Sequence, residues 1–165
     1  MKEQYVCTVC GYNMVDRCPE QCPFCGAARE NFLTSAEISR HYRVVETKIT
    51  DSITMLRSEP ALGFEHAAFR IATENHVYWI DCPSTFDQSL GRVDRIMYTH
   101  HHFLGAGNLY QEHMGAALAI HRRDSGHDLC RGYDFDLGFD KDFAELRYRS
   151  DAHQRPYLGI HRLSP

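Results

Sequence analysis

Four cysteines in two mirrored pairs, Cys7-Thr-Val-Cys10-Gly11 and Cys22-Pro-Phe-Cys25-Gly26, constrain this chain more than anything else in it. A Cys-x-x-Cys pair presents both sulfurs to one ion from a tight turn. Two such turns facing each other complete a tetrahedral set of four thiolates, suited to zinc or to a single iron. Gly11 and Gly26 each follow the second cysteine of their pair. There the turn needs a positive φ and an unhindered backbone, so that amide N–H groups can point at sulfur. Two disulfides are the alternative reading of two pairs. The mirrored turns favour a metal, and nothing in the sequence suggests secretion.

At 165 residues the chain has room for one ordinary domain or two small ones, and five of its seven cysteines fall within the first 25 residues. That asymmetry favours two units. With 43% hydrophobic and 24% charged residues the composition is globular. No apolar run approaches the roughly 20 residues that a membrane span requires, so no membrane association is expected. The N-terminus lacks the apolar core of a secretory signal, which makes a reducing cytoplasm the expected compartment and leaves free thiols at Cys82 and Cys130 ordinary. A net charge of −4 without a basic cluster argues against a nucleic-acid partner.

The first change of texture falls after Phe32, where Ser35 is placed to cap a short helix running to about Tyr42 with Glu37 in its first turn. Short β-prone runs follow at 44–49, 53–56, 68–72 and 77–80, separated by polar or glycine-bearing turns. A buried-strand candidate at 95–98, a helix over about 106–114 and a strand at 117–120 give a β-α-β order, followed by polar loop through Gly126. The aromatic, acidic stretch 132–140 has no clean period. Strands are expected at 143–149 and 156–163. The expected fold class is α+β, divided as 1–34 for the cysteine unit, 35–43 for a helical linker and 44–165 for the remainder.

The segment Tyr5-Val-Cys7-Thr-Val-Cys10-Gly11-Tyr12, with Cys22-Pro-Phe-Cys25-Gly26 and on to Phe32, resembles the rubredoxin-like domain, in particular the short form found in rubrerythrins. The resemblance covers roughly residues 3 to 33. It implies that Cys7, Cys10, Cys22 and Cys25 hold one iron that alternates between ferrous and ferric, shielded by Tyr5, Tyr12, Phe24 and Phe32. Four thiolates keep tetrahedral geometry in both oxidation states, so reorganisation is small and no coordination position is open to substrate. A structural zinc ribbon is the alternative, since a core of about 30 residues needs such a staple. Cys18 offers a fifth thiol where the family usually has none; it is read as a bystander, with ligand exchange or redox sensitivity as the alternative.

Further along, Thr99-His100-His101-His102-Phe103-Leu104-Gly105 follows the 95–98 strand. In extended chain the spacing of His100 and His102 puts both imidazoles on one side, suited to one ion. This stretch resembles the metallo-β-lactamase fold, with Asp81 ending a family-like strand and 115–124 similar to the next one. The resemblance implies a partial αββα sandwich. Leu104 and Gly105 occupy the positions of the signature's aspartate and third histidine, so a dinuclear hydrolytic site loses its second metal's ligands, and a leucine neither binds a hard cation nor accepts a proton. A second metal, zinc or iron, would rest on His100 and His102, with His153 as a third ligand. An empty histidine site is the alternative. His101, His113, His121 and His127 have no signature role and are read as surface or packing residues, and Cys82 as a buried small side chain.

The resulting expectation is a rubredoxin-type electron-transfer protein that works with a redox partner protein and carries a shortened metallo-β-lactamase-like module for docking or reduced function. A homo-oligomer is one way to cover the sheet of a chain so short. The rivals are a single-metal hydrolase using His100, His102 and His153 with a structural zinc clip, and a non-catalytic binding scaffold.

Overall fold

The computed structural model of the chain describes residues 2–139. The strands expected at 143–149 and 156–163, and His153, lie outside the described residues. Two sheets organise the rest. The first has three strands, β1 (Gln4–Cys7), β2 (Asn13–Val15) and β3 (Phe32–Thr34), in the order β2-β1-β3 and antiparallel throughout. Each outer strand is only three residues long. Such strands persist because the turns between them are closed by the cysteine knuckles rather than by side-chain alternation, which explains why periodicity gave no sign of them.

Helix α1 (Ser35–His41) begins one residue away from the expected cap. Thr34, not Ser35, accepts from the Glu37 amide, and the Glu37 carboxylate accepts in return from the Thr34 amide at 2.8 Å, which makes a capping box. Ile38 is fully buried, packed with Val6 of β1 and Leu62 beyond the helix, so α1 joins the two sheets by a shared apolar contact.

The second sheet contains β4 (Arg43–Lys48), β5 (Ile53–Glu59), β6 (Ala68–Ala72), β7 (Val77–Ile80), β8 (Arg95–Tyr98), β9 (Ala117–His121) and β10 (Leu137–Phe139). They lie in the order β10-β9-β8-β7-β6-β5-β4. From β4 to β7 the pairing is antiparallel, and from β7 to β10 it is parallel. The parallel half requires crossovers. Helix α2 (Gly107–Met114) makes the crossover from β8 to β9, and the short helix α3 (Arg122–Ser125) lies on the way to β10. The mixed sheets with few helices agree with an α+β class. A second large sheet, as the αββα sandwich requires, is not among the described residues.

One face of this sheet carries Leu56, Ala68, Trp79, Ile96 and Leu118, all at 0% exposure. Removing each of the larger ones from water contributes about 1.5–3 kcal/mol. α2 covers this face through Leu109 and Tyr110, whose ring meets Trp79 edge-on at 4.7 Å. Gly107 is required there, because a Cβ at that position would overlap the Tyr98 hydroxyl. Among the described residues no helix is long and apolar enough to cross a membrane.

The two sheets touch through polar bonds as well. Gln4 of β1 donates from Nε2 to the Gly105 carbonyl at 2.8 Å, and the Tyr133 hydroxyl donates to the same oxygen at 2.7 Å. Ser84 donates to the Gly11 carbonyl at 2.5 Å, while Val15 of β2 belongs to the core of the large sheet.

Candidate metal centre

The two knuckles repeat one backbone pattern. Cys7 donates its amide to the Tyr12 carbonyl and accepts from Gly11, each at 2.8 Å. Cys22 donates to Ala27 at 2.7 Å and accepts from Gly26 at 2.9 Å. Gly11 and Gly26 sit at φ +77° and +73°, as the sequence predicts for closed turns. With the turns closed, the amides of Val9 and Cys10 point at the Cys7 sulfur, and those of Phe24 and Cys25 at the Cys22 sulfur. Such donors stabilise negative charge on thiolates.

The turns bring all four sulfurs within 4.8 Å of one another. Cys7 and Cys25 are 3.8 Å apart, and Cys10 and Cys22 are 3.6 Å apart. A metal–sulfur bond of about 2.3 Å gives a tetrahedron with edges of about 3.8 Å, so this cradle already has the size of a thiolate metal site. All seven cysteines are free thiols, which sets aside the disulfide alternative. Cys18 stands outside the four-sulfur group.

Charge within the cluster is uneven. Burial pushes the Cys7 thiol up to about 11. Cys22 accepts from the neighbouring Cys10 thiol and is pulled down to about 5, whereas that same bond, with burial, raises Cys10. Four sulfurs this close cannot all shed protons without a cation between them. Cys7, Cys10 and Cys22 are 0–4% exposed, and Cys25 is half-buried. The open edge is therefore the second knuckle, where the Phe24 ring stands 47% exposed. Tyr12 lies under that ring, with centroids 6.5 Å apart and planes within 11° of parallel.

Phe24 also reaches the histidine loop, meeting the His102 ring edge-on at 5.1 Å. The loop starts from a fixed point. Asp81, at φ +59° and buried, accepts from the Thr99 amide at 2.8 Å and its hydroxyl at 2.7 Å. Burial raises the Asp81 carboxyl to about 6 against the pull of those two bonds. From there His100 caps a 3-10 turn at His101–Phe103 by accepting the His102 amide on Nδ1 at 3.2 Å.

That turn brings a third histidine to the expected pair. In extended chain His101 would point away from His100 and His102, but the tight turn gathers all three, and their ligand atoms lie within 4.8 Å. The sequence reads His101 as a surface or packing residue; in the structure its Nδ1 faces Asp124 Oδ1 of α3 at 2.5 Å, and its ring stacks on His127 at 3.8 Å. Against burial, which pushes it up, the bond to His101 holds the Asp124 carboxyl below its usual value. The ionised carboxylate makes Nδ1 of His101 the donor. His100 has the opposite tautomer while it caps the turn, so binding metal through Nε2 means releasing a cap of about 1 kcal/mol. Burial lowers both His100 and His102, and nearby His101 adds to it.

Leu104 and Gly105 have structural reasons for being what they are. Leu104 is 4% exposed within the main core. Gly105 sits at φ +50°, and any Cβ there would run into the carbonyls of Cys82 and Pro83. Neither position can present a ligand in this backbone. Cys82 is fully buried, and burial keeps its thiol well above the ordinary value. On the other side of Phe103, His66 lies with its ring 4.4 Å away. Burial drives the His66 imidazole down to about 4, its bond to the Cys82 carbonyl opposing, and its buried Nε2 has no hydrogen-bond partner among the described residues.

Compared with known families, residues 5–33 match the model of the rubredoxin-like domain of rubrerythrin. No curated protein and no solved structure matches the chain. The match ends inside β3, so the large sheet and the histidine loop lie outside it.

Proposed function

We propose that this chain is a one-electron carrier of rubredoxin type, with a single iron held by Cys7, Cys10, Cys22 and Cys25. The four-sulfur cradle carries the reading: its spacing suits a tetrahedral ion, and its coordination is complete. Bound iron would supply ferrous–ferric exchange. The protein's part is to keep that exchange fast and selective. Three buried cysteines exclude water, the knuckle amides hold sulfur charge, and Cys25 with Phe24 offers the edge where a redox partner approaches.

The unit responsible spans 1–34, because β3 closes its sheet at Thr34, and 35–43 leads into a module over 44–165 that docks the partner. The order of strands and the Asp81–Thr99 bond support a shortened metallo-β-lactamase-like origin for that module. A second copy covering the exposed side of its sheet, and a reducing cytoplasm, complete the reading. The hydrolase alternative built on His100, His102 and His153 has less support, because Leu104 belongs to the core. The scaffold reading requires zinc in the cradle.

Elemental analysis and an absorption spectrum, on protein purified without added metal, test the proposal. One iron per chain, with thiolate-to-iron bands that bleach on reduction, is expected. A colourless protein holding one zinc overturns it.

A further inference from the structure

We infer that His100, His101 and His102 together bind one divalent first-row transition-metal ion, with His101 as the third ligand and Asp124 as the carboxylate that orients it. The inference goes beyond the proposed function and does not depend on which metal the cysteines hold.

Three observations carry it. First, the three ligand atoms already lie within 4.8 Å, and a metal–nitrogen bond of about 2.05 Å needs edges of about 3.3 Å. Small side-chain rotations close that gap. Second, the His101 ring is held from two sides, by Asp124 at 2.5 Å and by the stacked His127, whose plane is 9° from its own. A carboxylate on the far nitrogen of a ligating imidazole fixes the tautomer and makes the ring a better donor. A histidine that only filled space would not need both. Third, the cluster is at the surface end of the loop, with all three rings half-buried, so an ion can reach it.

The donor set defines the class of ion. Three imidazoles without thiolate or hard oxygen select cobalt, nickel, copper or zinc over magnesium or calcium. Leu104 and Gly105 supply nothing further, which leaves a fourth position for water or a small anion. Because Phe24 sits between Cys22 and Cys25 and touches His102, the two metal sites are neighbours joined by one aromatic ring.

Cobalt(II) titration of the full chain, with the cysteine site filled by zinc, tests the site. We expect one further cobalt per chain, showing d–d bands without sulfur-to-cobalt charge transfer. Affinity should fall at least 10-fold in His101→Ala and about 10-fold in Asp124→Asn. His101→Gln repeats the first test with less lost volume, and Trp79 fluorescence with cysteine-site zinc content confirms that each variant is folded. Absence of any bound cobalt beside the zinc overturns the inference. So does unaltered affinity in folded His101 variants, or a loss confined to His153→Ala. Zinc in the cysteine site of native protein would refute iron-based electron transfer while leaving this titration to stand or fall alone.

Discussion

His66 should make the protein sensitive to mild acid in a way that one substitution removes. Its imidazole titrates near 6.5 when the chain is unfolded and near 4 in the fold, because burial penalises the cation more than the bond to the Cys82 carbonyl favours it. Between those values the unfolded chain binds the extra proton. Stability therefore rises with pH through this window, is lost as pH falls below 6.5, and loses nothing more from this group below about 4. The full difference is about 3 kcal/mol, and about 2 kcal/mol should already be gone on moving from about pH 7.5 to about pH 5. Asp124 and Asp87, both lowered, weaken the fold in the same direction, whereas Asp81, raised to about 6 by burial, acts oppositely. Metal release in acid also contributes. Comparison with His66→Gln cancels these shared effects, since glutamine can still donate to Cys82 but does not titrate. Urea unfolding of metal-loaded protein, followed by the single tryptophan, Trp79, at fixed ionic strength, measures the difference. The variant should lose about 2 kcal/mol less than wild type over that pH step. Parallel losses, within about 0.5 kcal/mol, would show that His66 is not held neutral by burial.

Other perturbations follow from the contacts. Gly63→Ala should destabilise the fold by about 2–4 kcal/mol and speed metal release to a chelator, because φ is +49° and the new Cβ meets the Val9 carbonyl inside the first knuckle. Normal chelator kinetics with an unshifted melting temperature would contradict that contact. Leu104→Asp, which restores the signature's aspartate, should cost more than about 4 kcal/mol and add no metal, since position 104 is in the core. A stable variant with an extra bound ion would refute the assignment. Thr34→Ala should cost about 1 kcal/mol through loss of the capping box, seen as a modest fall in melting temperature.

The sequence revealed those parts of the fold where one physical signal acted alone. β4 to β8 follow β-branched and aromatic runs bounded by turns, and α2 is capped by Gly115 in the left-handed conformation that suits glycine. The cysteine cradle was legible because spacing and paired glycines settle it locally. β1, β2 and β3 were hidden because they are short and the knuckles organise them. β10 lies in the stretch 132–140, where aromatic and acidic residues obscure any period. The gathering of His101 with His100 and His102 was not legible, because a spacing of two groups side chains in extended chain and this loop instead folds into a 3-10 turn. Three consecutive histidines after a buried strand were the available signal. The roles of Asp124 and His127 depend on a chain reversal more than 20 residues away, which no local pattern records.

The shared carbonyl of Gly105 has a consequence for how the chain works. Gln4, just before the first cysteine knuckle, and Tyr133, shortly before β10, both grip the backbone soon after the histidines. The spacing of the two candidate metal sites is thus built into the fabric of one folded body. Under the proposed function, exchange between the two sites would be first order and indifferent to protein concentration, unlike an encounter with a separate redox partner.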